Sequence, residues 1–340
     1  MAGVTASAPA KLVLSGEYAV LHGGPAISAA VGVRACATVA PTADSWSLRI
    51  TNSGQSFDFS PAAAGGIEWR TDPGEMGQLL AAAWGVLNQA QALSACGPHV
   101  VELDSRAFFT AAGAKRGLGS SAAVAVALTA ALQTALGVAP TAAACLAVHA
   151  AFQQQRGSGI DVCTSFHGGV ITKTAAAVEP LGWPEELCAA AVWTGMPAST
   201  TALLSRMEAF AASHPAAFER AREPLHVAAA ATLSDWRAAP AAQVLESLYE
   251  FARQLHRFDD DCAIGIWSAE HVRLERLADD FGLVYKPSGA GGGDYGLAFG
   301  LNPERLEDFV LAAGALGFTA PDFDLSVPGL RVQPLTGPAA

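Results

Sequence analysis

The chain has 340 residues, 51% hydrophobic and 15% charged, enough apolar material for a large core in two domains of ordinary size, which excludes global disorder. Its net charge of −11 argues against unspecific nucleic-acid binding, which rests on Lys and Arg neutralising phosphates. The six cysteines form no C-x-x-C pair, so neither a zinc ribbon nor a thioredoxin-type centre is indicated and reduced, buried thiols are expected.

The first residues lack a basic segment followed by an apolar run, so no signal peptide is expected. Residues 8–14 read as a strand with Lys11 and Val13 on one face and Leu12 and Leu14 on the other. A turn-rich loop over 15–26 leads to a strand over 27–39 and a hairpin over 45–59. A loop over 61–74, a helix over 75–93 and a short strand over 99–103 follow. An alanine-rich helix is expected from about Ser120, and another from Pro140 to about 155. Strands are expected over 170–174 and 189–194, with a linker over 179–186 between them. The second half reads as helices over 197–212, 217–238, 242–257 and 264–281. A strand at 282–285, a glycine-rich loop at 286–294, a strand at 295–299, a helix at 303–316 and a strand at 330–332 complete the chain.

Residues 117–155 contain no Asp, Glu, Lys or Arg. Gly137 and Pro140 interrupt them, and the stretch before is mostly alanine, so a buried helix is expected in place of a membrane span.

Four loops combine glycine, small residues and one ionisable group. In Gly117-Leu118-Gly119-Ser120-Ser121-Ala122, the glycines permit a tight turn that points several N–H groups at one spot. Ser120 or Ser121 can cap the helix that follows, whose N-terminus favours an anion. No Asp or Glu occurs between Asp104 and Asp161, whereas Arg106, Lys115, Arg116 and Arg156 lie in that interval. A phosphate cradle should have bases close and acids far off. The other reading is a glycine turn before an ordinary core helix. The loop fits the dinucleotide pattern G-x-G-x-x-A, but no conspicuous strand precedes it and no acid follows to hold a ribose. The Walker pattern is absent. In 289–294, five of six residues are Gly or Ala, and such bare backbone implies close approach by something else. Asp161 reads as a base, a magnesium ligand or a turn acid. Lys11 reads as catalytic or as a solvated edge-strand lysine. Glu17, Tyr18 and His22 are ordinary loop residues in isolation.

Taken together, these loops resemble the three motifs of the GHMP kinase superfamily, in order. Pro9-Ala10-Lys11-Leu12-Val13-Leu14-Ser15-Gly16-Glu17-Tyr18 resembles the first. Gly117-Leu118-Gly119-Ser120-Ser121-Ala122-Ala123 resembles the second, the ATP-phosphate loop. Ser288-Gly289-Ala290-Gly291-Gly292-Gly293-Asp294 resembles the third. Within the superfamily, Gly157-Ser158-Gly159-Ile160-Asp161-Val162 and Trp193-Thr194-Gly195-Met196-Pro197-Ala198-Ser199-Thr200 resemble the phosphomevalonate kinase family, whereas His22-Gly23-Gly24-Pro25 is also similar to mevalonate kinases.

The resemblance implies a two-domain α+β fold. An ATP-binding domain like ribosomal protein S5 domain 2 would span 1–182, and a ferredoxin-like domain 183–340. It implies ATP-dependent phosphorylation of 5-phosphomevalonate in the mevalonate pathway of isoprenoid biosynthesis, with Mg2+, in the cytoplasm. The expected partner is a small molecule, with no nucleic acid and no membrane, and the chain is expected as a monomer or homodimer. Lys11 and Asp161 are the expected catalytic residues. Lys115, Gly117, Leu118, Gly119, Ser120, Ser121 and Ala122 would bind ATP, with Ser121 on the metal. Glu17, Tyr18, His22, Ser158, Ser199, Thr200, Ser288, Gly289, Ala290, Gly291 and Gly292 would bind the acceptor. A kinase of mevalonate or another small molecule, and a non-catalytic sensor of nucleotides or isoprenoid precursors, are the alternatives.

Overall fold

A computed structural model describes residues 3–335 except 63, 64, 92, 94, 95, 155, 156 and 322. The architecture is mixed α+β, as the sequence implies. The first half runs β1 (Val4–Ser15), β2 (Ala26–Pro41), β3 (Trp46–Ile50), β4 (Gln55–Pro61), β5 (Ile67–Trp69), α1 (Gly74–Gln91), β6 (His99–Asp104), α2 (Ser120–Ala135), α3 (Ala142–Phe152), α4 (Ile160–His167), β7 (Val170–Lys173) and β8 (Val178–Leu181). The second half runs β9 (Cys188–Trp193), α5 (Thr200–Ser213), α6 (Pro215–Ala238), α7 (Ala241–Cys262), α8 (Ala269–Asp280), β10 (Val284–Pro287), β11 (Tyr295–Gly300), α9 (Pro303–Ala315) and β12 (Arg331–Pro334).

The larger sheet has the order β12-β1-β2-β6-β3-β4-β5, with β7 on the first half of β2 and β8 on β7. The long β2 serves two partners because its first residues pair with β7 and its last with β6. A second antiparallel sheet has the order β10-β11-β9. The last strand leaves that region and adds antiparallel to β1, pairing Ser7 with Arg331.

Helix α2 is buried on almost every side, which suits its run of alanines, since small side chains let backbones approach closely. It lies against β1 and β2, with α1, α3 and α4 around it. This packing holds the start of α2 against the middle of β1, where Lys11 lies. Farther along the sheet, Trp84 packs edge-on against Trp46 and Phe59, which are tilted to each other, with centroids 5.0–5.7 Å apart; such aromatic pairs add about 0.5–1.5 kcal/mol each beyond their buried area. Around the second sheet, α8 and α9 pack on the strands.

Several sequence expectations need correction. Strand β1 begins at Val4, four residues early. Residues 160–167 form α4, where a glycine turn with a lone acid was expected. Its 8 residues are too few for helical periodicity to show. Strand β8 occupies part of the expected linker. Helix α5 starts at Thr200, after a loop capped by Ser199, and the loop before Ser268 delays α8 to Ala269. No helix among the described residues is long and apolar enough to cross a membrane.

Candidate active site

Gly117 and Gly119 both adopt left-handed backbone (φ +70° and +78°), which a residue with a Cβ enters only at a cost of about 1–2 kcal/mol. Gly119 is the N-cap of α2, no side chain caps that helix, and its first turn holds no acid. The leading N–H groups are therefore unclaimed by side chains and carry the positive end of the helix dipole. Leu118 anchors the loop in the core, and its carbonyl accepts from the Lys11 N–H at 3.1 Å.

Lys11 is the meeting point of the loops. A Cβ placed on Gly119 would lie 3.2 Å from Lys11 Cε and 3.9 Å from Asp161 Cβ. One placed on Gly289 would lie 3.4 Å from Lys11 Nζ. Gly119 and Gly289 thus approach the lysine directly and Asp161 approaches Gly119, so four segments distant in sequence meet here. Lys11 and Asp161 form no ion pair among the described residues, and Asp161 Oδ1 accepts from the Val162 N–H of α4 at 2.9 Å.

The two loop hydroxyls differ. Ser121 Oγ lies 3.4 Å from Nε2 of the buried His149, whereas the Ser120 hydroxyl has no hydrogen-bond partner among the described residues. Ser120 is therefore the loop hydroxyl without a protein partner among the described residues. The Ala122 side chain is wholly buried, so only its backbone can face a ligand. Lys115 is exposed beside the loop, and Arg156 lies outside the described residues.

The first and third motifs are clasped together by residues expected to bind substrate. Lys286, fully buried, donates to Glu17 Oε1 and to the carbonyls of Val13 (3.3 Å) and Pro287 (2.7 Å). The Gly289 N–H also donates to Glu17 Oε1, at 3.4 Å. The Tyr18 hydroxyl donates to the Ala290 carbonyl at 2.6 Å. Ser288 Oγ accepts from the Val13 N–H at 2.9 Å and donates to the Val13 carbonyl at 3.0 Å. Glu17, Tyr18 and Ser288 therefore spend these polar atoms within the protein. Burial pushes the Glu17 carboxyl up and the Lys286 amine down, and their mutual attraction opposes both shifts. Burial likewise raises the Tyr18 phenol. Lys286 was missed because it reads only as the start of the glycine-rich loop at 286–294, with nothing local to pair it with Glu17.

The glycines at 291–293 allow close backbone contacts. The Gly292 N–H donates to the Ile266 carbonyl at 2.7 Å, and a Cβ on Gly291 would lie 2.6 Å from that oxygen. Asp294 follows, itself left-handed (φ +56°). Its N–H donates to the Met196 carbonyl at 2.7 Å, and its Oδ1 accepts from the Ala198 N–H at 3.2 Å. Its carboxylate abuts Gly117, whose added Cβ would fall 2.0 Å from Asp294 Cγ. The expectation that acids stay away from the phosphate loop holds along the chain but not in space. Burial raises the Asp294 carboxyl, against the pull of Lys11 and Lys115.

The remaining expected residues are more peripheral. Ser158 Oγ accepts from the Ile160 N–H at 3.4 Å at the start of α4. Ser199 caps α5 by accepting from the Ala202 N–H, with Thr200 exposed beside it. The exposed His22 packs edge-on against Phe218 of α6, with centroids 5.3 Å apart, and no hydrogen bond ties it to the loops. Among the described residues, no cluster of three His, Cys, Asp or Glu side chains is arranged to hold a metal.

Residues 79–169 match the family described as GHMP kinases N terminal domain. The chain is 29% identical to a phosphomevalonate kinase of Streptomyces sp., over 88% of this chain and 90% of that one. It is 27% identical to a mevalonate kinase of Thermococcus gammatolerans, over 97% and 98% of the two. A solved phosphomevalonate kinase from Streptococcus pneumoniae, in complex with phosphomevalonate and AMPPNP, superposes with a TM-score of 0.77 at 16% identity, covering 96% of this chain and 100% of that one. With the loops of all three motifs gathered near Lys11, the chain resembles the GHMP kinases, and its residues 79–169 carry the match to their N-terminal domain.

Proposed function

We propose that this chain is an ATP-dependent kinase that converts 5-phosphomevalonate to 5-diphosphomevalonate and ADP. The observation that carries the reading is that Gly119 and Gly289 lie against the Lys11 side chain, with Asp161 against Gly119. It is supported by the phosphomevalonate kinase at 29% identity and by the ligands of the Streptococcus pneumoniae enzyme. The division into an ATP-binding domain over 1–182 and a second domain over 183–340 belongs to this proposal.

Phosphoryl transfer depends mainly on positioning and on stabilising charge. The open N–H groups of α2 suit the β- and γ-phosphates of ATP. The Ser120 hydroxyl and the Asp161 and Asp294 carboxylates are hard oxygen donors of the kind Mg2+ takes, and Mg2+ when bound neutralises phosphate charge. Lys11 bridges the transferring group and the acceptor, and Asp161 orients Lys11 or the acceptor. The loop at 289–293 closes the acceptor side with the backbone N–H groups not already spent on Glu17 and Ile266.

The acceptor class follows from charge. A phosphate monoester has a second pKa near 6, so at pH 7 it is largely an anionic nucleophile that needs cations more than a base. A hydroxyl acceptor needs a base such as Asp161. Asp161 close to Gly119 of the phosphate loop, together with the mevalonate kinase relative at 27% identity, makes mevalonate the second reading. ADP release over a panel of acceptors tests both. A strong preference for 5-phosphomevalonate is expected, with kcat/KM declining as pH falls through about 6. Equal or better turnover of mevalonate overturns the reading, and ATP binding without any turnover favours a sensor.

A further inference from the structure

One buried hydrogen-bonded chain, outside the three motifs, ends on the third loop. His271 lies in the first turn of α8, where Ser268 caps the helix by accepting from the His271 N–H at 3.3 Å. Its ring is wholly buried. Nδ1 lies 2.8 Å from the Tyr285 hydroxyl on β10, and Nε2 lies 2.9 Å from the Gly293 carbonyl oxygen.

These contacts assign every proton. A carbonyl only accepts, so Nε2 carries the hydrogen. Nδ1 is then bare and accepts, so the Tyr285 O–H donates. Burying an imidazole and a phenol is costly unless both are bonded, whereas a leucine would fill the same space without that demand. The neighbourhood is shaped around the pair. A Cβ on Gly296 would fall 1.8 Å from the Tyr285 hydroxyl oxygen. Gly293 has φ +154°, and a Cβ there would fall 2.6 Å from the Met196 carbonyl oxygen. The peptide that His271 grips is therefore one that only glycine can form, and Asp294 is the next residue along.

We infer that His271 is a positioning residue of this kinase. By donating to the Gly293 carbonyl it fixes the Gly293–Asp294 peptide, which sets the Asp294 carboxylate against Gly117 of the phosphate loop, and the Tyr285 hydroxyl satisfies the bare Nδ1 of the tautomer that does so. Burial holds the ring's pKa down at about 4; Lys286 pulls the same way, and the bond to Gly293 and the charge of Glu270 pull against it. The ring is thus neutral wherever phosphoryl transfer is assayed. The inference rests on the proposed function for its kinetic readout only.

The test compares His271→Gln with His271→Asn. Glutamine keeps an amide N–H near the place of Nε2. Asparagine puts its amide near Nδ1, out of reach of Gly293. Losing a buried hydrogen bond is worth about 10–100-fold. His271→Asn should therefore lower kcat at least about tenfold and speed amide exchange at Asp294 by a similar factor, while His271→Gln stays within about threefold of wild type. Nitrogen NMR of the wild-type ring should show the Nε2–H tautomer, without titration between about pH 8 and 5. Tyr285→Phe removes the donor to Nδ1 but leaves the Gly293 carbonyl in place, so its ring should keep the Nε2–H tautomer, and this variant serves where His271→Asn fails to fold. A ring that titrates near pH 6.5, an asparagine variant with wild-type exchange, a glutamine variant as impaired as asparagine, or a Tyr285→Phe ring that abandons the Nε2–H tautomer overturns the inference. If no acceptor is turned over, the kinase reading fails, while the NMR and exchange measurements still decide the role of His271.

Discussion

Lys286→Met should destabilise the protein more than any change at the exposed surface. The Lys286 side chain is 0% exposed and its partner Glu17 2% exposed. Removing the lysine leaves a carboxylate in the interior without its cation and strips a donor from the Val13 and Pro287 carbonyls. Breaking a buried ion pair by deleting one member costs about 3–5 kcal/mol. Domains are stable by about 5–15 kcal/mol in all, so the variant should lose a large share of its margin. The double variant Glu17→Gln, Lys286→Met removes the stranded charge while keeping an acceptor for the Gly289 N–H. It should recover part of the loss, with a coupling of about 1–3 kcal/mol. Urea unfolding of the wild type, both single variants and the double variant measures this. Lys286→Met within about 0.5 kcal/mol of wild type, or single effects that simply add, would refute the claim that this pair clasps the first loop to the third.

Gly119→Ala forces a side chain into left-handed backbone, at about 1–2 kcal/mol, and pushes the Lys11 stem aside. We expect kcat/KM to fall about tenfold or more, and further for Gly119→Val; wild-type kinetics in the valine variant would contradict the assignment of this loop. Lys11→Met should lower kcat by roughly 10²–10³, equivalent to about 2.7–4 kcal/mol, with little change in thermal stability, and activity within a few fold of wild type would mark Lys11 as a mere strand residue. His271, held at about 4 in the fold, should contribute stability that is complete above pH 6.5 and is lost as pH falls toward 4, because over that window the unfolded chain binds the proton and the folded chain does not. The loss amounts to about 3 kcal/mol, and acid-limb unfolding curves that match between wild type and His271→Gln would exclude it.

What could be read from the sequence was whatever is written locally. Gly117 and Gly119 announce a tight turn, and the alanines after them announce a buried helix, so the loop and α2 were legible. Lys11 and Asp161 were legible as candidates because each stands alone among apolar or small residues. Pairings between distant residues were not. Nothing near Glu17 signals Lys286, and nothing near His271 signals Tyr285 or Gly293, because burial and partner are set by how the two sheets meet. Asp294 shows the same limit from the other side, since an interval free of acids along the chain does not keep an acid out of the loop in space. Helix α4 escaped because two turns are too short for a period to register.

The pairing of β12 with β1 also has a consequence for how the chain is made. Ser7 and its partner Arg331 are 324 positions apart in sequence (331 − 7). At roughly 5–20 residues per second, a ribosome needs about 15–65 s to travel that distance. Throughout that interval the outer edge of β1 presents unpaired N–H and C=O groups, a template for strands of other chains. A nascent chain must therefore shield that edge by some other means until its last strand arrives. A chain cut short before residue 331 keeps the edge open for good, and with it a standing route to aggregation.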